Sequence, residues 1–298
     1  MSHTLAVSMY RPKEEPLAVV EIIHGMAEHR KRYDEFARWL QEKGFAVVTY
    51  DLPGHGETAE GSPLGYFGMK DGWGNLVKSA RTVAEECMRQ YPDKPFFILG
   101  HSMGTMIARC YLQKYDGDLA GMILSGAPNY NSAASAGINL AKAIRAFKGP
   151  KGHSKLMDKM VTGNFNKSVQ NPKTSVDWLS YSEENVQKYI ADPLSGFPFT
   201  IQGYLDELQG MQQMADVSRY ECRNHELPIY FFAGEEDPCI GGLSGLESSI
   251  ETLRKAGYVN ITSRLYPHMR HETLNEEDRL RVYEETAAWL TEQLNKSL

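Results

Sequence analysis

The pentapeptide Gly-His-Ser-Met-Gly at residues 100–104 constrains the fold of this chain more than any other part of the sequence. It follows the apolar run at residues 95–99, and apolar residues then recur at helical spacing: Met103, Met106, Ile107, Cys110 and Tyr111. A strand is therefore expected to turn sharply into a helix at Ser102, where the flanking glycines let neighbouring backbone approach without a Cβ clash. The pattern predicts a nucleophile elbow with Ser102 at its tip; the alternative is a glycine-rich structural turn.

Strand-like apolar runs alternate with helical patterns over much of the chain. The runs lie at residues 17–23, 45–50, 95–99 and 120–125, and two more follow at 227–232 and 260–265. Helical faces lie between them, and the last one carries Leu280, Tyr283, Ala287, Leu290 and Leu294. This alternation predicts an α/β fold, with a mostly parallel central sheet flanked by helices.

The alternation stops between residues 129 and 214, where polar helix-forming stretches carry aromatic residues and methionines. We interpret this segment as a helical cap inserted between two parts of the core, residues 1–128 and 215–298. A cap of this kind can bury a substrate and exclude water, whereas the alternative is a packing subdomain without a catalytic role. The apolar residues expected on its inner face are Phe147, Leu156, Met157, Met160, Phe165, Trp178, Phe197, Phe199, Leu205, Leu208, Met211 and Met214.

Composition and charge argue against several classes of function. The net charge of −6 over 298 residues disfavours binding to nucleic acid, which normally requires an excess of lysine and arginine. The N-terminus lacks a basic segment followed by an apolar core, and no apolar stretch is long enough to span a bilayer. We therefore expect a soluble cytoplasmic protein, with its four widely spaced cysteines, Cys87, Cys110, Cys222 and Cys239, reduced and structural.

A serine nucleophile needs a histidine to accept its proton and a carboxylate to orient that histidine. The loop after the run at 227–232 supplies Asp237, and the loop after the run at 260–265 supplies His268 and His271. We predict His271 as the general base, because His268 lies where the chain is still leaving the sheet. The sequence thus predicts a triad of Ser102, Asp237 and His271.

Acyl transfer also needs two backbone donors for the oxyanion. The N–H group of Met103, directly after the nucleophile, is one candidate. The second is the N–H group of Met26, which follows the run at 17–23 and a turn that Gly25 permits; an ordinary strand-ending turn is the alternative. Residues 51–56 end the next strand-like run, and we interpret them as a tight structural turn without chemistry.

Metal catalysis is the competing mechanism, since the chain has nine histidines. Neither His24 with His29 nor His268 with His271 forms the H-E-x-x-H pattern or has a clear third ligand. A dinucleotide-type G-x-G-x-x-G and a P-loop are also missing from the sequence. We therefore expect neither a catalytic metal nor a cofactor.

Together these residues resemble the monoglyceride lipase and lysophospholipase branch of the α/β-hydrolase superfamily. The resemblance is carried by residues 24–29 with Arg32 and Tyr33, by the turn at 51–56, by the elbow, and by residues 234–238 and 270–272. It implies an α/β-hydrolase fold with an inserted helical cap, and a serine hydrolase of single-chain lipids. It also implies the same site residues: Ser102, Asp237, His271, and the amides of Met26 and Met103. Ala27 and Pro53 depart from the family, which usually has glycine and arginine at these positions, and the N-terminus looks short of the first strand or two of the fold.

The expected substrate is a small lipid ester, with transient contact between the cap and a membrane or micelle surface, and the oligomeric state is left open. Lysophospholipase, general carboxylesterase, thioesterase and peptidase activities use the same triad and stay open as alternatives. A binding protein that keeps the fold without activity is a further alternative. Retention of all three triad residues favours an enzyme.

Overall fold

A computed structural model describes residues 4–163 and 165–296 of the chain. The expectation about the N-terminal leader rests partly on residues 1–3, which lie outside the described residues. The strands are β1 (Val7–Tyr10), β2 (Val19–Ile23), β3 (Ala46–Tyr50), β4 (Phe96–His101), β5 (Gly121–Ser125), β6 (Ile229–Gly234) and β7 (Ile261–Tyr266). The helices are α1 (Asp34–Glu42), α2 (Gly72–Gln90), α3 (Met103–Tyr115), α4 (Ala134–Lys148), α5 (Lys155–Val161), α6 (Glu183–Ala191), α7 (Ile201–Ala215), α8 (Gly242–Lys255) and α9 (Arg279–Lys296).

The strands form one sheet in the order β1-β3-β2-β4-β5-β6-β7. All neighbouring strands from β3 to β7 are parallel, which confirms the predicted α/β class, and the six predicted runs match β2 to β7 with small shifts at their ends. Strand β1 was not predicted. It pairs antiparallel with β3, from Val7 opposite Tyr50 to Tyr10 opposite Val47. Four residues are too few to show a clear period, so only the pairing with β3 defines this edge strand.

Helices cover both faces of the sheet, which explains why the strands read as continuous apolar runs. On one face, Val20 and Ile22 of β2 pack in one cluster with Phe36 of α1 and Val282 of α9. On the other face, side chains of α2, α3 and α8 form a second cluster with alternate residues of the same strands. Because these strands are parallel, their carboxyl ends lie at one edge of the sheet, and the loops with the candidate site residues begin there.

The segment between β5 and β6 contains α4 to α7. Helix α7 packs against α2 and α3 of the core, and a Cβ at Gly210 would overlap the indole of Trp73. Helices α4 and α5 in turn pack against α7. The last helix of the expected cap is thus joined to the core by close packing.

Three residues expected on the inner face of the cap are exposed instead. Phe147 is 90% exposed, Leu156 is 57% exposed and Met160 is 38% exposed, so the prediction is wrong for these three. Helices α4 and α5 bury a different face against α7, with Ala141 and Met157 fully buried. Short helices with scattered apolar residues leave more than one face available, and contact with α7 decides which one is buried.

Among the described residues, no helix combines the length and the apolar character that crossing a bilayer requires.

Candidate active site

The turn from β4 into α3 holds Ser102 in an unusual backbone conformation. Its φ of +51° and ψ of −120° are strained for a residue with a side chain, and its side chain stays partly exposed. The flanking glycines permit this turn, since a Cβ at Gly100 would lie 2.6 Å from the carbonyl oxygen of Gly104. A Cβ at Gly104 would overlap the carbonyl oxygen of Ile23 on β2. The predicted sharp strand-to-helix turn is therefore present.

His271 and Asp237 meet beyond the ends of β7 and β6. The Nδ1 atom of His271 lies 2.9 Å from Oδ2 of Asp237, and both side chains are buried. The second oxygen of Asp237 accepts the N–H of Cys239 at 2.8 Å, which fixes the carboxylate in orientation. His268, the rejected candidate, is exposed and has a φ of +55°. The geometry therefore places His271, and not His268, beside the acid.

The electrostatics of His271 follow from its burial and its partners. Burial by itself lowers the pKa of His271, but the negative charge of Asp237 more than offsets this effect, so the net pKa lies well above the ordinary value of 6.5. The ring of His101, the residue before Ser102, lies 4.7 Å from the ring of His271. Burial and the charge of His271 lower the pKa of His101 to about 4, so His101 is neutral near pH 7.

Cys239 lies in this cluster and was not assigned to the site from the sequence. Its thiol, the carboxylate of Asp237 and the ring of His271 place metal-ligating atoms within 4.8 Å of one another. Burial raises the pKa of Cys239 to about 11, so the thiol is neutral near pH 7. The carboxylate and the imidazole are already hydrogen-bonded to each other, and the arrangement suits a carboxylate that orients a general base. All four cysteines of the chain are free thiols, as expected.

Two backbone amides come from segments beside Ser102: that of Met26 from the loop after β2 and that of Met103 from α3. A Cβ at Gly25 would lie 3.1 Å from the Cβ of Ser102, so this loop passes directly beside the nucleophile. The amide of Met103 is at the first turn of α3, where N–H groups lack intrahelical partners. Within the described part of the chain, the amides of Met26 and Met103 donate to no protein acceptor. Both are thus available to an oxygen bound at Ser102.

Buried polar contacts hold this loop in place. The N–H of Gly25 donates to Oε1 of Glu28 at 2.5 Å, and His24 bridges the carbonyl oxygen of Gly25 at 2.8 Å and the amide of Leu52 at 3.0 Å. Because Nε2 of His24 accepts a hydrogen bond from an amide, this ring is neutral, and burial indeed lowers its pKa. The turn at residues 51–56 therefore helps to hold the loop after β2 through the amide of Leu52.

Arg32 joins three parts of the site, a role that sequence reasoning missed. Its guanidinium donates to Glu28 at 3.0 Å, to Glu272 at 2.5 and 2.7 Å, and to Asn185 of α6 at 3.0 Å. Burial raises the pKa of Glu28, but the charge of Arg32 more than offsets this and brings it to about 2. The guanidinium also lies 4.8 Å above the ring of Tyr189. One buried cation therefore connects the loop after β2, the loop carrying His271 and helix α6.

The sequence model of one protein family matches most of the chain. The family is described as serine aminopeptidase, S33, and the match spans residues 14–278. A solved carboxyl esterase from Bacillus coagulans, a thermostable enzyme in complex with glycerol, is 29% identical. It superimposes with a TM-score of 0.90 over 97% of this chain and 94% of the esterase.

Two relatives of similar length are lipases. A monoacylglycerol lipase from Mycolicibacterium smegmatis is 24% identical over 290 residues, covering 97% of this chain and 94% of that protein. A monoglyceride lipase from Mus musculus is 26% identical over 279 residues, covering 90% and 83% respectively. With the elbow, the sheet order and the family match in agreement, the chain belongs to the serine aminopeptidase, S33 family of α/β-hydrolases.

Proposed function

We propose that this protein is a serine hydrolase that cleaves carboxylic esters of single-chain lipids, monoacylglycerols in particular. The observation that carries this proposal is the 2.9 Å hydrogen bond between His271 and Asp237, both buried beside a strained serine elbow. The named activities of the relatives, monoacylglycerol lipase and carboxyl esterase, support ester hydrolysis. The esterase supports general carboxylesterase activity as the second candidate, and lysophospholipase activity is a further variant of the same chemistry.

In the proposed mechanism, the hydroxyl of Ser102 attacks the ester carbonyl carbon while His271 takes its proton. Asp237 holds the imidazole in the tautomer that accepts this proton and stabilises the imidazolium that forms. The amides of Met26 and Met103 donate to the oxyanion, to which the N-terminal end of α3 also presents its positive dipole. His271 then protonates the leaving alcohol. In the second half of the reaction, His271 takes a proton from the water that attacks the acyl-enzyme and returns it to the oxygen of Ser102 as the carboxylic acid leaves.

We infer that residues 129–214 act as a cap over this site. Support comes from Trp178, whose ring lies 5.0 Å from the ring of His271, and from Asn185 and Tyr189, which contact Arg32. Buried apolar residues of the segment, Phe199, Leu205 and Leu208, pack in one cluster with side chains of α2 and α3, which joins the segment to the core. The proposed division of the chain is therefore core (1–128), cap (129–214) and core (215–298).

The outer face of the cap suits contact with a lipid surface. Phe147, Leu156 and Met160 are exposed there. Exposed lysines lie in the same stretch of the chain, at Lys148, Lys151, Lys155 and Lys159. Apolar residues beside cations favour the surface of an anionic membrane or micelle. We propose transient contact at this face, and the four free thiols fit the proposed cytoplasmic location.

Hydrolysis rates for monoacylglycerols from four to eighteen carbons test the proposed substrate class. Each buried methylene contributes about 0.8 kcal/mol, so kcat/KM should rise several-fold with each of the first added carbons until the pocket is full. Lysophospholipids, p-nitrophenyl esters and short amides complete the panel. A preference for acetyl esters, or for amides over esters, would contradict the proposal.

A further inference from the structure

Trp178 lies in the short 3₁₀ turn Asp177–Leu179 of the cap, and its indole lies against the ring of His271. The ring centroids are 5.0 Å apart with an interplanar angle of 38°. Phe165 packs on Trp178 with a centroid distance of 4.8 Å, and the indole stays only partly exposed. The cap thus places its largest aromatic side chain directly on the proposed general base.

Hydrogen bonds from both neighbours of His271 hold both neighbours of Trp178. The guanidinium of Arg270 donates to the carbonyl oxygen of Asp177 at 2.8 Å, and the amide of Glu272 donates to the carbonyl oxygen of Leu179 at 2.8 Å. Residue 178 is therefore held opposite residue 271 by bonds on either side. These two bonds fix the backbone on both sides of Trp178 relative to the loop that carries His271.

More contacts join the same two segments through Ser180 and Tyr181. The carboxylate of Glu276 accepts the hydroxyl of Ser180 at 2.8 Å and the amide of Tyr181 at 2.9 Å. Arg270 also stacks on the ring of Tyr181, with its guanidinium carbon 3.8 Å from the ring centroid. The turn with Trp178 and the loop with His271 consequently form one rigid unit.

We propose that Trp178 is a positioning residue for the general base: its π face holds the imidazole of His271 in place and stabilises the imidazolium formed when Ser102 loses its proton. This inference rests on the role proposed above for His271. A cation over the face of tryptophan is attracted by the ring quadrupole, whereas a neutral imidazole gains much less. The contact therefore strengthens as the proton is transferred, which is the condition for lowering the barrier.

The other charged or titratable groups that face His271 come from two elements. Asp237 and Cys239 lie in the turn after β6, and His101 lies at the end of β4. Asp237 is the anion of the pair, while His101 and Cys239 are neutral near pH 7, as described above. None of these groups changes when Trp178 is substituted, so a change in the titration of His271 can be traced to the indole.

The test compares Trp178→Leu and Trp178→Phe, with Trp39→Leu as the matched control. Leucine keeps an apolar cover but has no π face, and phenylalanine keeps a smaller one. Trp39 is a partly buried indole on α1 that packs on Tyr283 at 5.7 Å. We expect kcat on a soluble p-nitrophenyl ester to fall about tenfold in Trp178→Leu and about threefold in Trp178→Phe, and to stay within twofold in Trp39→Leu.

The pH profile separates this role from simple packing. Loss of the π face weakens proton binding by His271, so the acid limb of kcat/KM should move to lower pH by up to about one unit in Trp178→Leu. Wild-type tryptophan emission should also fall as the pH drops through that limb, because an imidazolium quenches an adjacent indole. This step should vanish in Trp178→Phe and in His271→Ala.

Thermal unfolding of each variant shows whether it is folded, and Trp178→Phe serves if Trp178→Leu is not. Unchanged kcat in the Trp178 variants would overturn the inference. Slower turnover of Trp178→Leu with an unshifted acid limb would also overturn it, and so would the absence of a pH-dependent fluorescence step in the wild type. Retained hydrolysis in His271→Ala would instead overturn the proposed function. Loss of activity in His271→Ala with wild-type behaviour in both Trp178 variants would remove this inference alone.

Discussion

The two halves of the inserted segment are attached to the molecule in different ways. Residues 177–200 are fastened to the core by polar contacts, for example from the amide of Gly196 to the carbonyl oxygen of Ala27 at 2.9 Å and from Thr200 to Gly65 at 2.8 Å. His29 adds a contact to Asp192 at 2.5 Å. In residues 129–161, by contrast, α4 and α5 pack on α7 and leave Phe147 and Leu156 exposed.

This difference separates two tasks within one insertion. The second half contributes Trp178, Asn185 and Tyr189 to the proposed site, where small displacements would disturb catalysis. The first half carries the exposed apolar face, where displacement would alter contact with a lipid surface. In the second half, residues 177–200, called the fastened half below, substitutions that break its side-chain contacts to the proposed site should therefore affect turnover. Substitutions in the first half should affect only the use of aggregated substrate.

The largest effect is expected at His271, whose ring contacts Trp178 of the fastened half. His271→Ala should lower kcat by about four orders of magnitude, because the serine then lacks its base, whereas exposed His268→Ala should stay within about threefold. In the wild type, the negative Asp237 raises the pKa of His271, so kcat/KM should fall as the pH drops, through an acid limb above pH 6.5. Steady-state kinetics against pH check both points. Loss of activity in His268→Ala together with retained activity in His271→Ala would assign the general base to His268 instead.

The next largest effect is expected for Arg32→Lys. Lysine cannot reproduce the forked contacts to Glu28, Glu272 and Asn185, so the loops on both sides of Ser102 should shift. We expect kcat/KM to fall about a hundredfold and the free energy of unfolding to fall by about 3 kcal/mol. Measurements of ester hydrolysis and urea unfolding on one preparation give both values.

Arg30→Lys is the matched control for this prediction. Arg30 is also buried and pairs with Asp51, and within the described residues its guanidinium donates to Ser8, Asp51 and Glu57, which all lie outside residues 129–214 and the loop carrying His271. It should lose comparable stability with less than a tenfold loss of kcat/KM. Equal losses of activity in the two variants would show that Arg32 contributes only to stability. The polar contacts of Arg32 would then not explain why the two halves of the insertion should differ in their effect on turnover.

A smaller and more selective effect is expected on the outer face of the first half. The double variant Phe147→Ser with Leu156→Ser should slow hydrolysis of micellar long-chain monoacylglycerol about fivefold, since less apolar surface can enter the lipid interface. Hydrolysis of a soluble butyrate ester should not change. Ile190→Ser, at a 51% exposed site on α6 in the fastened half, is the control and should leave both rates unchanged. Equal slowing on soluble and micellar substrates would argue against an interfacial role.

The smallest effect is expected at Ala27, which the fastened half contacts through Gly196 and Tyr189. Ala27 has a φ of +51°, where glycine carries no Cβ penalty, and glycine is the residue usual in the resembling family. Ala27→Gly should therefore raise the free energy of unfolding by up to about 1 kcal/mol without changing kcat. Ala143→Gly, at an exposed position of α4, should lower the free energy of unfolding by about the same amount. Denaturant titrations of both variants should show opposite signs.

The sequence alone was enough to predict the elbow and the parallel sheet, because both depend on short-range patterns. Buried parallel strands read as apolar runs, and the spacing of the two glycines around Ser102 is a pattern of five residues, although the carbonyl oxygen that Gly104 must accommodate belongs to Ile23 on β2. Asp237 and His271 could be placed at the same edge as Ser102, since loops after parallel strands meet there. Their joint role in catalysis stays a prediction until the variants are measured.

Tertiary structure decided what surrounds these residues. Arg32 meets Glu272 across 240 positions of the chain, and Trp178 meets His271 only because β6 and β7 bring the final loop back under the cap. The edge strand β1 and the outward orientation of Phe147 likewise depend on a distant neighbour, β3 in one case and α7 in the other. A local pattern reports what one segment can bury, whereas the partner that buries it, and the face that stays in water, is set only when distant segments pack together.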